Sequence, residues 1–225
     1  MTPLFITASG TGVGKTYVSA AMARSLIQAG RRVRVLKPVI SGFCEDNMAD
    51  SDIAVLLRAI GRQPTPAAVE AMSPWRLAAP LSPDMAAARE GKTIDFDVLV
   101  RFCRDTIHGG EEITLIEGIG GVMVPLTESH TILDWIAALD IPALVVVGSY
   151  LGTLSHSLTA VQALRARNIS VAGVVISESE DSPVPLAETA ASMARFLPGV
   201  AIRTMPRRPW ADAKTDSLCD LLGDI

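Results

Sequence analysis

The sequence predicts an α/β fold: a three-layer sandwich in which a mainly parallel sheet is covered by helices on both faces. Three observations carry this. Short β-branched apolar runs alternate with longer stretches of helical period. The runs are apolar almost throughout, as strands buried on both faces must be. A glycine-rich turn joins the first run to the first helical stretch. The 225 residues are 49% hydrophobic and 20% charged, enough apolar side chain for one large core without a metal or disulfide staple. Residues 1–225 are therefore expected to form a single domain.

The elements follow in order. Residues 4–7 (Leu-Phe-Ile-Thr) read as the first strand, and 15–29 as a helix that stops at Gly30. Residues 33–37 form the second strand, and a helix starts at Ile53. Residues 62–83 hold Pro64, Pro66, Pro74, Pro80 and Pro83 and read as an irregular excursion, of the kind that carries function in compact domains. Residues 96–107 and 158–165 are helical; 113–117, 143–147 and 171–176 are strands. A final strand is expected at 200–204, then Pro206, Pro209 and a short terminal helix.

Composition excludes several functions. A net charge of -4 and a pI near 5.4 leave no basic face for tracking phosphates, and 4% aromatics leave few stacking platforms, so no nucleic-acid partner is expected. No apolar stretch reaches the ~18 residues of a membrane span, and Met1-Thr2-Pro3 shows no basic leader. Cys44, Cys103 and Cys219 form no CxxC pair and are odd in number, which argues against a disulfide frame or zinc site and for a reducing cytoplasm.

Ser9-Gly10-Thr11-Gly12-Val13-Gly14-Lys15-Thr16 stands between the first strand and the first helix, the context of a phosphate-binding loop, which narrows the fold to a P-loop NTPase-like sandwich. Inward-pointing backbone N–H groups and the positive end of the helix cradle phosphate; Lys15 reaches the β and γ phosphates, and the Thr16 hydroxyl suits magnesium. Ser9 replaces the first glycine of the strict pattern. Glu117 ends an apolar strand before Gly118, Gly120 and Gly121, at the sheet edge where ligands gather. Asp52, in Asp50-Ser51-Asp52-Ile53, reads locally as one of three candidate helix caps. Lys37 closes the second strand and must face water or an anion; read as a surface lysine, it is expected to be dispensable for the fold.

These residues, with Lys37-Pro38-Val39, Ser41-Gly42, Pro80, Ser82-Pro83, Pro125-Leu126, Asp134-Trp135, Val147-Gly148, Leu151-Gly152 and His156, together resemble the dethiobiotin synthetase family over nearly the whole chain. The resemblance implies ATP-dependent ring closure of 7,8-diaminononanoate with CO2, through a carbamate and a carbamic-phosphoric anhydride. By position it implies catalytic roles for Lys37, Lys15 and Thr11. It implies magnesium held by Thr16, Asp52 and Glu117, which reverses the local reading of Asp52. It implies ATP contacts from Gly12, Val13, Gly14, Lys15, Thr16, Tyr17, Asp52, Glu117, Gly118, Gly120, Ser177, Glu178, Pro206, Arg207 and Arg208. Ser41 would bind the diamine or its carbamate, and Gly152, Thr153, Leu154 and Ser155 its carboxylate across a homodimer interface.

The chain departs from the family in places. Gly10 and Gly12 stand where acidic residues are common, Ser177-Glu178 where an Asn-Asp pair reads adenine, and Tyr150 where a lysine is expected. His108, His130 and His156 read as structural. A rival reading, a nucleotide-switched partitioning ATPase, expects a signature lysine at position 10, where this chain has Gly10. A fused amidating synthetase expects a further glutaminase domain that 225 residues do not accommodate.

Overall fold

The computed structural model describes residues 1–208 and 216–222. Six parallel strands form its main sheet: β1 (Thr2–Ala8), β2 (Val33–Leu36), β5 (Ile113–Glu117), β6 (Ala143–Val147), β7 (Val171–Ser177) and β8 (Ile202–Met205), in the order β2-β5-β1-β6-β7-β8. Between them run α1 (Lys15–Gln28), α2 (Asp52–Ala59), α5 (Phe96–Ile107), α6 (Ile132–Leu139), α7 (Thr153–Ala166) and α8 (Leu186–Phe196).

β1 shows why the sandwich has three layers. Successive side chains of a strand point to opposite faces. Leu4, Ile6 and Ala8 join the core made with Val18 and Met22 of α1 and Leu56 of α2. Phe5 joins the opposite core with Leu99 of α5 and Trp135 of α6, meeting the Trp135 ring edge-on at 4.9 Å. Both faces of the central strand are thus apolar and covered, which is the condition for a buried parallel sheet.

The excursion at 62–83 is more regular than expected. It carries α3 (Pro66–Met72) and β4 (Trp75–Leu77), and α4 (Pro83–Arg89) starts at its end. β4 pairs in parallel with β3 (Val39–Ser41), forming a second, two-stranded sheet. Pro66 and Pro83 occupy the first turns of their helices, where a missing N–H breaks no bond, so these prolines begin helices. Thr65 caps α3 by accepting from the Ala68 N–H at 3.3 Å. The last strand lies at Ile202–Met205, displaced from the expected 200–204, and α7 extends well beyond 158–165 at its N-terminal end. Pro209 lies outside the described residues; α9 (Asp216–Cys219) supplies the terminal helix. No helix among the described residues is long and apolar enough to cross a membrane.

Candidate active site

The phosphate loop runs from the carboxyl end of β1 into α1. Gly14 has φ of 91°, and a Cβ there would lie 2.5 Å from Ser177 Oγ, so both backbone conformation and space demand glycine. A Cβ on Gly121, beyond β5, would stand 3.1 Å from the Gly10 nitrogen: the two glycine segments pack backbone against backbone. That closeness lets Lys15, at the start of α1, donate to the Gly120 carbonyl at 2.9 Å. Burial pushes the Lys15 ammonium down to about 8; Glu117 opposes this and Lys37 adds to it.

Lys37 follows β2 directly and is 3% exposed. This corrects the expectation of a surface lysine. Its Nζ donates to Glu117 Oε1 at 2.5 Å and to Asp52 Oδ2 at 2.7 Å. Burial alone would depress its pKa, but the two carboxylates outweigh burial and hold it above the ordinary lysine value. Glu117, the last residue of β5, is fully buried. It also accepts the Thr16 hydroxyl at 2.8 Å.

The local ambiguity at Asp52 resolves through its neighbour. Ser51 is the cap of α2, accepting from the Ala54 N–H at 3.2 Å. Asp52 is left to turn toward Lys37. Burial raises its pKa, but Lys37 and the Thr16 hydroxyl prevail and hold it below the usual carboxylate range.

Two cavities share the phosphate loop. One of about 370 Å³ is lined by Thr11, Lys15, Thr16, Lys37, Ser41 and Asp52, with Gly12, Gly14, Tyr17, Ile40, Ile119 and Gly120. The other, of about 520 Å³, is bounded by Gly12, Val13, Gly14 and Tyr17 on one side and by Tyr150, Ser177 to Asp181, Arg207 and Arg208 on the other. The first has the size and charge for transferring phosphate and a small substrate, and the second for a nucleoside. Glu178 Oε2 accepts the Arg207 N–H at 2.9 Å, Glu180 pairs with the Arg207 guanidinium at 2.6 Å, and Tyr17 donates to the Arg208 carbonyl at 3.3 Å. The arginines thereby help close this cavity.

Not every expected residue reaches a cavity. Glu117 and Gly118 line neither cavity, and a Cβ on Gly118 would strike the Phe5 ring at 2.8 Å. Pro206 and residues 152–155 line neither cavity. The latter open α7, where Gly152 has φ of 98° and Thr153 donates to the Gly148 carbonyl at 2.6 Å. His156 does have a partner, Tyr150 Oη at 2.9 Å. His130 stacks on Phe96 at 3.9 Å and contacts Thr127 and Ser129, and His108 contacts the Arg104 carbonyl, which fits their structural reading. Sequence reasoning missed Ser149 and Ser179. Each backbone N–H donates to the other's hydroxyl, at 3.0 and 2.9 Å, clamping the loops after β6 and β7. Serines 30 residues apart give no local signal of this.

The residues fit a hard divalent cation. Thr16, Asp52 and Glu117 offer only oxygen donors, and Glu117 Oε2 is buried without a hydrogen-bond partner among the described residues. Among these residues no group of three or more His, Cys, Asp or Glu could hold a metal. A cation here would therefore complete its shell with the hydroxyl, water and phosphate, as magnesium does.

A family model described as an AAA domain matches residues 2–209. The ATP-dependent dethiobiotin synthetase BioD of Acidiphilium cryptum (strain JF-5) is 52% identical over 198 residues, covering 88% of this chain and 89% of that protein. The protein of the same description from Caulobacter vibrioides (strain NA1000 / CB15N) is 45% identical over 223 residues, 99% of each chain. Among solved structures, the MinD cell division protein of Aquifex aeolicus matches with a TM-score of 0.55 at 13% identity, covering 99% of this chain and 86% of that one. A ParA family ATPase from Chlorobium tepidum TLS matches with a TM-score of 0.53 at 14% identity, covering 98% and 88%. At such identities the structural likeness bears on the P-loop fold alone. Near-complete coverage at 45–52% identity bears on descent, and the chain belongs to the ATP-dependent dethiobiotin synthetase family.

Proposed function

We infer that this protein is an ATP-dependent dethiobiotin synthetase, converting 7,8-diaminononanoate, CO2 and ATP to dethiobiotin, ADP and phosphate. The observation that carries the reading is one 370 Å³ cavity in which the phosphate loop, two buried lysines and Asp52 converge beside Thr11 and Ser41, with buried Glu117 bonded to Lys37 and Thr16 behind them. The reaction builds negative charge in one small volume. One amine takes up CO2 and loses a proton, giving a carbamate. A carbamate oxygen attacks the γ-phosphorus with ADP leaving, and the second amine attacks the carbamoyl carbon and expels phosphate, closing the cyclic urea. Fixed cations around these oxygens stabilise the negative charge that gathers on the carbamate and the transferring phosphoryl group at each stage.

Lys15 neutralises the phosphates from the loop side. Lys37 neutralises the carbamate and the transferring phosphoryl group, and Thr11 and Ser41 orient the carbamate and the diamine. Thr16, Asp52 and Glu117 would hold magnesium, which when bound would supply charge neutralisation for the phosphate oxygens. The nucleoside occupies the 520 Å³ cavity, with Ser177, Glu178 and the segment 206–208 about the base. The start of α7, Gly152 to Ser155, receives the substrate carboxylate of a partner protomer's site, with the Thr153 N–H already committed to the Tyr150 carbonyl at 3.1 Å; these residues line neither of this chain's own two cavities. The enzyme is thus a homodimer of single P-loop domains working in the cytoplasm, with no nucleic-acid or membrane partner.

The test is mass-spectrometric detection of product from the purified protein with diaminononanoate, bicarbonate, magnesium and each of ATP, CTP and GTP. Dethiobiotin with stoichiometric phosphate is expected. Nucleotide binding without product from any of the three overturns the reading.

A further inference from the structure

Lys37 stands on the two carboxylates assigned to magnesium. Its Nζ contacts Glu117 Oε1 at 2.5 Å and Asp52 Oδ2 at 2.7 Å. Glu117 Oε1 also accepts the Thr16 hydroxyl, so two donors engage that one atom, while Oε2 has no partner among the described residues. Lys37 as a whole is 3% exposed, so water and salt screen its ammonium weakly. A divalent ion binds carboxylate oxygen at about 2.0–2.1 Å, and placing its two positive charges beside a buried ammonium on the same carboxylates is strongly unfavourable. A triphosphate changes the balance. Lys37 lines the same cavity as Lys15, Thr11 and Ser41, so phosphate oxygens entering there offer the ammonium another anion.

We propose that the Lys37 ammonium and the divalent cation exchange on Asp52 and Glu117. The cation binds these carboxylates well only when nucleotide phosphate draws Lys37 off them, and the same movement carries Lys37 to the transferring phosphoryl group. Lys37 thus has a second role, as the counter-charge that keeps metal from loading ahead of nucleotide. This rests on the magnesium reading given above.

The probe is Mn2+, followed by electron paramagnetic resonance and by thermal denaturation, without turnover. In the absence of nucleotide, K37M and K37Q are expected to bind Mn2+ at least about tenfold more tightly than wild type, a step worth one charge interaction at a partly screened site. Their melting temperatures should rise with Mn2+ while that of wild type stays flat. K37R, which keeps the charge, should bind Mn2+ as weakly as wild type. Equal or weaker Mn2+ binding by K37M and K37Q overturns the exchange. If these variants fold only in millimolar Mn2+, that requirement is the same expected sign; chains that stay unfolded with Mn2+ present overturn it. A separate arm tests the ligand set: D52N and E117Q in the presence of ATP should lose Mn2+ affinity. If they do not, the metal reading fails; if they do while K37M matches wild type, only the exchange fails.

Discussion

At the scale of single residues the site is a charge network whose members depend on one another. Removing one partner of a buried ion pair leaves the other uncompensated, at a cost of roughly 3–5 kcal/mol. Lys37→Met is therefore expected to lower stability as well as activity, because fully buried Glu117 loses its counter-charge. Denaturant melts will show the first effect. Single-turnover kinetics should show a drop of about 10²–10³-fold, typical for loss of a preorganised charge-stabilising group. A stability equal to wild type would mean that the Lys37–Glu117 pair contributes no net stability to the fold. Gly14 makes a second residue-scale case. Gly14→Ala places a Cβ 2.5 Å from Ser177 Oγ at φ of 91°, and should cost about 1–3 kcal/mol and weaken ATP binding. Adding Ser177→Ala removes the nearest atom but not the backbone strain, so calorimetry should recover part of the loss and not all of it.

At the scale of elements, what matters is how each helix is begun. α6 opens with a reciprocal cap: Thr131 Oγ1 accepts the Asp134 N–H, and Asp134 Oδ2 accepts the Thr131 N–H at 2.9 Å. Burial raises the Asp134 pKa, but Thr131 and Arg167, paired at 2.9 Å, hold it below 3.8. A depressed carboxyl adds stability above its unfolded pKa and loses it as pH falls through the lower, folded value. Asp134→Asn should therefore cost about 1 kcal/mol at neutral pH, and urea melts should show the difference shrinking steadily below pH 3.8. A pH-independent difference would point to packing. α7 offers the functional counterpart. An aspartate in a helix's first turn favours the helix, so Ser155→Asp should leave the melting temperature unchanged or raised. It should raise KM for the diamine roughly tenfold by repelling the substrate carboxylate, with KM for ATP unaltered. An unchanged diamine KM would leave that turn a structural one.

At the scale of the whole molecule, the parallel sheet gathers strand ends from far apart in the chain onto one edge, where Lys37, Glu117, Ser177 and the phosphate loop meet. The start of α7 lies at that same edge, with Leu151 beside it 89% exposed. The homodimer proposed above is expected to cover that leucine. Leu151→Glu is expected to shift the protein from dimer to monomer in light scattering and to raise the diamine KM through loss of the partner's α7. A monomeric wild type would remove the shared site.

The sequence by itself determined the fold class, because buried parallel strands and amphipathic helices are written in local periodicity, and the phosphate loop, whose residues are contiguous. It also supplied the residue types from which the site is built. Its reading failed where the deciding neighbour is distant or where one residue type has two local meanings. Prolines at 66 and 83 read as breakers but begin helices. Asp52 read locally as one of three candidate caps, a reading only the family resemblance reversed, and it is Ser51 that holds the cap. Lys37 read as a surface lysine because its partners are 15 and 80 residues away. Tertiary structure alone decided those pairings, the contact of Ser177 with Gly14 and the Ser149–Ser179 clamp. The physical reason is that a charge or hydroxyl takes its meaning from whatever the fold places within about 3 Å of it, and periodicity carries no record of that.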